Sequence, residues 1–323
     1  MERDLVVGID LGGTRFRVGL FRTDGKMIRR QGWATEAAAG PHAVIDRLAT
    51  AVRETCAREG LARVVGVGLG SPGPLDPWRG VVLETPNMPG WHNVSLKEEM
   101  ETRLGLPVHV NNDANLAALG ESSYGAATGL RDVVYFTVST GIGGGVLVDG
   151  KLLLGAHGLA AELGHTIILP EGPLCGCGHR GCLESVASGT AIAREARLRL
   201  ARGDPSSLLG MSQEDLATVD AEMVARAAAA GDPLAGEVFD TAAGFLGLGV
   251  VNALHTFDPE IVVIGGGVSL AGDLLFRPVR RVVSERAMVP YRDRAPIVPA
   301  ALGDDAGLYG AAALVLTEVF GGA

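Results

Sequence analysis

Three of the four cysteines stand close together in the stretch CGCGHRGCLE, as Cys175, Cys177 and Cys182. A Cys-x-Cys-x₄-Cys loop punctuated by glycine offers three thiolates to one ion, and structural zinc wants a fourth ligand to complete a tetrahedron. The nearest histidines are His157, His165 and His179. His179 lies inside the loop, where its backbone is taken up by the turn between Cys177 and Cys182. His165 closes what reads as a helix, LAAELGH, and can fold back as the fourth ligand. Such a closed site leaves no position for water, so the expected role is structural. It stiffens a loop that ends at Glu184 and ties in Glu162, just ahead of His165. Two carboxylates pinned together suit the gripping of vicinal hydroxyls, and a ligand histidine can offer its other ring N–H. The plainer alternative makes both acids solvated helix-end residues.

Glycine-rich turns form a second group. Asp10-Leu11-Gly12-Gly13-Thr14 sets a carboxylate at a strand end before a tight turn, and Ser139-Thr140-Gly141-Ile142-Gly143-Gly144-Gly145 supplies a matching turn. Phosphate oxygens bind well to backbone N–H groups, and only small residues let the backbone approach so closely. A third apolar run, IVVIGGGVS, leads into Gly265, Gly266 and Gly267, where a cavity for adenine and ribose is expected. Neither a P-loop nor a clean dinucleotide fingerprint is present. Any one of these turns is equally well a tight hairpin; three, each following an apolar strand, point to nucleotide phosphates.

The third group is PVHVNNDAN, where Asn111, Asn112 and Asp113 join a strand to a helix. Asn112 or Asp113 as a helix cap is the ordinary reading. The functional one makes Asp113 a base that orients a substrate hydroxyl. A helix N-terminus favours the ionised carboxylate and so weakens the base. Phosphoryl transfer tolerates that, since positioning and charge stabilisation dominate it.

These groups need strands and helices to place them, and the chain supplies both in alternation, so the fold class is α/β. LVVGID is a buried strand, and RFRVGLF, a TDG turn and KMIRRQGW continue it as a β-meander. HAVIDRLATAVRETCARE has helical periodicity with Pro41 near its start, and carries Cys56 far from the cysteine cluster. LVVGIDLGGTRFRVGLFRTDGKMI can be laid beside VVYFTVSTGIGGGVLVDGKLLL, each giving strand, glycine turn, strand, DG turn and strand. That echo suggests two similar lobes across a cleft, though chance competes among 47 glycines.

Composition limits the partners. Lys plus Arg is 28 against 37 for Asp plus Glu, a formal charge of -9, which argues against nucleic acid and anionic membrane. The longest apolar run, AAGFLGLGVVNAL, is short of a membrane span. The N-terminus begins MERDLVVGID, acidic where a signal peptide is basic, so the cytoplasm is the expected compartment and disulfides are a poor account of the cysteines.

With IDLGGT, GSPGPLD, ETPNMPGW, NNDAN, STGIGGG, ELGH, CGCGHRGCLE, IVVIGGG and DDAGLYGAA in order along nearly all 323 residues, the chain resembles the ROK family of bacterial sugar kinases, and within it looks most like the glucokinases. The resemblance implies an actin/hexokinase-like (ribonuclease H-like) fold of two lobes. One would be 1–111 with the C-terminal helix 306–323, the other 112–305 with a zinc loop at 165–184. It implies transfer of phosphate from ATP to the 6-hydroxyl of glucose, with Asp113 as base. Sugar contacts would fall on Asn87, Asn112, Asp113, Glu162, His165 and Glu184. Phosphate and Mg²⁺ contacts would fall on Asp10, Gly12, Gly13, Thr14, Thr140 and Gly141, with Gly265, Gly266 and Gly267 near the nucleoside. Structural Zn²⁺ would sit on His165, Cys175, Cys177 and Cys182. Relatives are usually dimers or tetramers, so a homodimer or homotetramer is implied.

Two positions depart from the family pattern: Arg15 replaces the usual lysine of GGTK, and Ala161 the usual glycine before the pocket glutamate. Repressors of the family carry a helix-turn-helix ahead of the kinase-like part, for which a first strand at Leu5 leaves no room. Another hexose as substrate, polyphosphate as donor, and a non-catalytic sugar sensor are the competing readings. ETPNMPGW leans towards glucose, and Asp10 with Asp113 argues against a sensor.

Overall fold

The structure, a computed structural model, describes residues 3–85 and 88–321. Its contacts divide the chain into two units, one of Met1–Gly129, Leu152–Ala161 and Ala301–Ala323, the other of Leu130–Lys151 and Glu162–Ala300.

In the first unit, the opening apolar run forms β1 (Leu5–Leu11), and the meander continues with β2 (Arg15–Arg22) and β3 (Met27–Ala34). Helix α1 (Pro41–Thr55) begins with its proline at N1 and buries Val44, Ile45, Leu48, Ala49 and Val52, a stripe at helical spacing. Full burial of each Val, Ile or Leu stabilises by about 1.5–3 kcal/mol. Cys56 is the residue that ends this helix and is itself buried, serving the core as a small apolar group. Strand β4 (Val64–Ser71) follows, then the short strands β5 (Leu75–Asp76), β6 (Val81–Glu84) and β7 (His92–Val94), helix α2 (Leu96–Leu104), strand β8 (Val108–Asn112) and helix α3 (Asp113–Tyr124). The main sheet runs β3-β2-β1-β4-β8, and β5, β6 and β7 make a small sheet of their own.

The second unit repeats the plan. Strands β9 (Val133–Val138), β10 (Ile142–Val148) and β11 (Lys151–Leu152) are its meander. Helices α4 (Leu183–Ala187), α5 (Gly189–Ala201), α6 (Leu208–Met211), α7 (Ala221–Ala229) and α8 (Pro233–Phe257) lead to β12 (Ile261–Gly265), α9 (Asp273–Arg286) and β13 (Ile297–Pro299). The sheet order is β11-β10-β9-β12-β13. In both sheets the first strand of the meander pairs antiparallel with the second and parallel with a later strand. A sequence echo and a shared strand order together mark a duplication.

The last helix, α10 (Ala306–Phe320), returns to the first unit and crosses α3 at backbone contact. A Cβ at Gly310 would stand 1.7 Å from the Leu116 carbonyl oxygen, and one at Gly120 would stand 2.4 Å from that of Ala306. This crossing corrects the sequence boundary at residue 112. Residues 112–129 belong with the first sheet, because α3 grows directly out of β8 and locks onto α10.

Helix α8 contains the apolar run AAGFLGLGVVNAL and extends it. It is 25 residues long, and among the described residues it alone is long and apolar enough to cross a membrane. Its apolar run looked shorter because Glu237 and Asp240 interrupt it. Those acids pair with Arg199 at 2.7 Å and Arg281 at 2.9 Å, while Leu234, Val238, Phe239, Ala242, Leu246 and Val250 are buried, the pattern of a core helix.

Candidate active site and metal centre

His165, Cys175, Cys177 and Cys182 come together, one ligand atom from each lying within 4.8 Å of all the others. Cys175 Sγ stands 3.7 Å from His165 Nδ1, and Cys177 Sγ stands 3.6 Å from Cys182 Sγ. In a zinc tetrahedron with bonds of about 2.3 Å, the ligand–ligand edge is roughly 3.8 Å. The donor set and its spacing therefore fit a zinc ion. Burial pushes the Cys175 thiol up to about 12, so a cation entering here must displace its proton. His179 is exposed and outside the cluster.

The approach to His165 differs from the sequence expectation. LAAELGH is no α-helix: Ala161 sits at φ 67, and only Leu163–His165 form a single 3₁₀ turn. Left-handed backbone at a residue with a Cβ breaks a helix. Gly164 is the small residue that matters in this turn, since a Cβ there would stand 1.9 Å from the Ile142 carbonyl oxygen.

Glu162 and Glu184 flank the cluster. Glu162 has solvent-accessible surface, yet the atoms crowding it strip away enough water to raise its carboxyl above the ordinary range. His165 opposes that shift and Glu184 adds to it. Glu184 lies in the first turn of α4, and its Oε2 accepts the Ile142 amide at 3.0 Å. Its Oε1 accepts from the Cys175 thiol at 3.4 Å. The solvated-acid alternative therefore does not describe Glu184.

The glycine turn between β9 and β10 is closed by Ser139 N donating to the Gly141 carbonyl at 2.9 Å. The start of α5 holds it from one side. Gly189 N donates to Ser139 O at 2.7 Å, and Thr190 Oγ1 donates to Thr140 O at 2.8 Å. Ser139 and Thr140 border a cavity of ≈ 920 Å³, shared with Gly267, Val268 and Leu270. Gly265 ends β12 against the Tyr135 ring, where a Cβ would stand 2.4 Å from its hydroxyl oxygen. Gly266, at φ 84, would put a Cβ at the same distance, 2.4 Å, from the Val138 carbonyl oxygen, so this turn admits only glycine without distortion. The other walls come from α5 and α7: Thr190, Ala193 and Arg197, then Glu222, Ala225 and Ala229. Sequence inspection missed them. Their signal is a face at positions i, i+3 and i+7 on each helix, small in the middle.

In the first unit, Asp10 is the penultimate residue of β1 and pairs in register with Arg17 of β2, whose guanidinium lies 3.8 Å from the carboxylate. Burial raises the Asp10 carboxyl above its ordinary value and Arg17 opposes the shift. Arg17 also donates to the Asp304 carbonyl ahead of α10. The turn after Asp10 is closed by Gly12 N donating to Arg15 O at 3.0 Å, and Thr35 Oγ1 donates to Gly12 O at 2.6 Å. Gly13 and exposed Thr14 form its tip, Thr14 O accepting the Thr35 amide at 2.9 Å. Arg17 escaped the sequence reading because its facing Asp10 depends on hairpin register.

The NNDAN junction divides its labour. Asn112 is the cap, its Oδ1 accepting from Ala114 N at 2.9 Å and Asn115 N at 3.3 Å. Asn111 is buried and accepts from Asn112 N and Asn115 Nδ2. Asp113 is the first residue of α3, with Oδ1 accepting the Ala114 amide at 2.8 Å. Asn87, also expected at the site, lies outside the described residues.

Residues 6–318 match the ROK family. A glucokinase of Thermotoga maritima is 42% identical over 321 residues, 99% of this chain and 100% of that one. The solved ROK family glucokinase of Streptomyces griseus, in complex with glucose and AMPPNP, is similar with a TM-score of 0.84. It is 37% identical and covers 96% of this chain and 98% of its own. The ROK hexokinase of Thermus thermophilus gives a TM-score of 0.82 at 39% identity, covering 98% of this chain and 100% of its own.

Proposed function

The chain belongs to the ROK family, and from that premise we infer that it is a glucokinase, transferring the terminal phosphoryl group of ATP to the 6-hydroxyl of glucose. The observation that carries this reading is the second unit's glycine turn. Its Ser139 and Thr140 border a nucleoside-sized cavity while Glu184, a carboxylate suited to hydroxyls, binds the same turn.

Each group takes a role that its chemistry suits. The cavity beside Gly267 takes the adenosine, and the amides of the glycine turns take the phosphates. Asp10 would hold magnesium directly or through water, and the ion would supply charge neutralisation to the transferred group. His165, Cys175, Cys177 and Cys182 would hold zinc, which would supply rigidity, and a reducing cytoplasm would keep those thiols available to it. Asn112, Glu162, His165 and Glu184 grip the sugar hydroxyls, with Asn87 a further contact. Asn112 keeps its side-chain amide for this, since its oxygen caps α3. Asp113 aligns the 6-hydroxyl and accepts its proton as the phosphoryl group moves. Its place at a helix N-terminus favours the charged form, so alignment outweighs basicity.

A coupled ADP-release assay across a panel of hexoses, with ATP and with polyphosphate, tests the reading. Turnover highest with glucose and ATP is expected. No ADP release with any hexose would overturn it.

A further inference from the structure

We propose that Glu184 is a positioning residue for the phosphate turn, holding residues 139–142 in shape from the metal loop whether or not sugar is bound. The proposal rests on the reading of that turn as a phosphate cradle, and deepens it.

The turn is held at three points by segments that leave the metal cluster. Glu184, two residues beyond the ligand Cys182, accepts the Ile142 amide at 3.0 Å. Gly164, next to the ligand His165, packs so tightly on the Ile142 carbonyl that a Cβ would stand 1.9 Å from its oxygen. The α4–α5 junction supplies Gly189 and Thr190 to the carbonyls of Ser139 and Thr140. Ile142 is thus gripped on its N–H and on its carbonyl by the two strands of chain that the ligands end. The contact is close enough to fix the residue type in the turn, since a Cβ on Gly141 would stand 2.4 Å from Glu184 Oε2. Meanwhile the Thr140 and Gly141 amides make no backbone hydrogen bond among the described residues, which leaves them for an anion. A carboxylate accepting one amide of the turn orients its neighbours, and orientation of backbone donors is what a phosphate cradle needs.

Glu184 therefore acts on both substrates: Oε2 on the phosphate turn, Oε1 free to turn from the Cys175 thiol towards a hydroxyl. A residue that touched sugar alone would leave nucleotide binding in the absence of sugar untouched. That difference is measurable.

The test uses the full metal-loaded chain without sugar. Binding of magnesium–AMPPNP is titrated calorimetrically for the parent protein, Glu184→Ala and Glu184→Gln, alongside amide hydrogen exchange of residues 139–145. Glu184→Ala should weaken binding by about tenfold, the loss of one hydrogen bond to a charged acceptor, and speed exchange at Ile142. Glu184→Gln retains an acceptor oxygen and should restore both to within about twofold of the parent, while both variants raise the KM for sugar. Should Glu184→Ala lose metal or stability, Gly141→Ala, which crowds Oε2 from the other side, should accelerate the same amide. Parent-like nucleotide affinity with unchanged exchange in these variants would overturn the proposal. Exchange reads the contact even if AMPPNP fails to bind the parent, an outcome that would count against the kinase reading alone.

Discussion

The side-chain oxygen of Asn112 accepts the amide of Ala114 at 2.9 Å, so the residue before Asp113 caps the helix that Asp113 begins. The helix start is thereby fixed by a neighbour, and Asp113 can be altered without removing the cap. Asp113→Asn should fold with a melting temperature close to the parent's and keep glucose binding. Its turnover should fall by about 10²–10⁴, read in the ADP-release assay. Near-parental turnover would remove the base assignment.

Asn112 gives the complementary case. Asn112→Ala should cost about 1 kcal/mol from the lost cap, seen in urea unfolding, and raise the KM for sugar. Asn112→Asp retains a capping oxygen and should recover the stability. An alanine variant as stable as the parent would contradict the capping geometry.

The metal cluster predicts one zinc per chain by elemental analysis. Cys177, the exposed ligand, can be changed without opening the core. Cys177→Ser should bind zinc more weakly, melt lower and show a higher KM for glucose, because both Glu162 and Glu184 lie at ends of the stapled loop. Fully active protein devoid of zinc would defeat this expectation.

The α3–α10 crossing predicts a stability effect remote from chemistry. Gly310→Ala must push the Leu116 backbone aside, and overpacking of this kind costs about 1–3 kcal/mol. Because α3 carries Asp113 on its first turn, turnover should fall along with the melting temperature. A neutral outcome in both would mean that the helices slide apart freely.

Asp232 provides a pH dependence. It caps α8, accepting from Ala235 N at 2.9 Å, Ser207 N at 2.6 Å, Ser207 Oγ at 2.8 Å and Ser206 Oγ at 3.0 Å. Burial alone would raise its carboxyl, but these bonds outweigh it and hold the group below its ordinary 3.8. A depressed folded-state value means that the native protein holds the proton less tightly than the unfolded chain. Its stabilisation is complete above 3.8 and is lost as pH falls through the folded value. Asp232→Asn should therefore be less stable than the parent at pH 7, and the gap should close at strongly acid pH. Denaturant melts across that range would show it; a gap independent of pH would refute the charge argument.

What the sequence determined by itself was local and periodic. Alternating and continuous apolar runs set both meanders, Pro41 marks a helix start, and three clustered cysteines with His165 name a ligand set from residue type and spacing. Those signals survive because each depends on neighbours along the chain. Tertiary structure decided what depends on distant neighbours. Ala161 is left-handed, although LAAELGH has helical composition, and Asp10 meets Arg17 through a strand register set by the turn between them. Helix α8 hid its length behind acids whose arginine partners lie on other helices. Above all, Glu184 reaches Ile142 across a separation of 42 residues. No pattern in composition encodes that bond, because a hydrogen bond between remote segments exists only once packing has placed them.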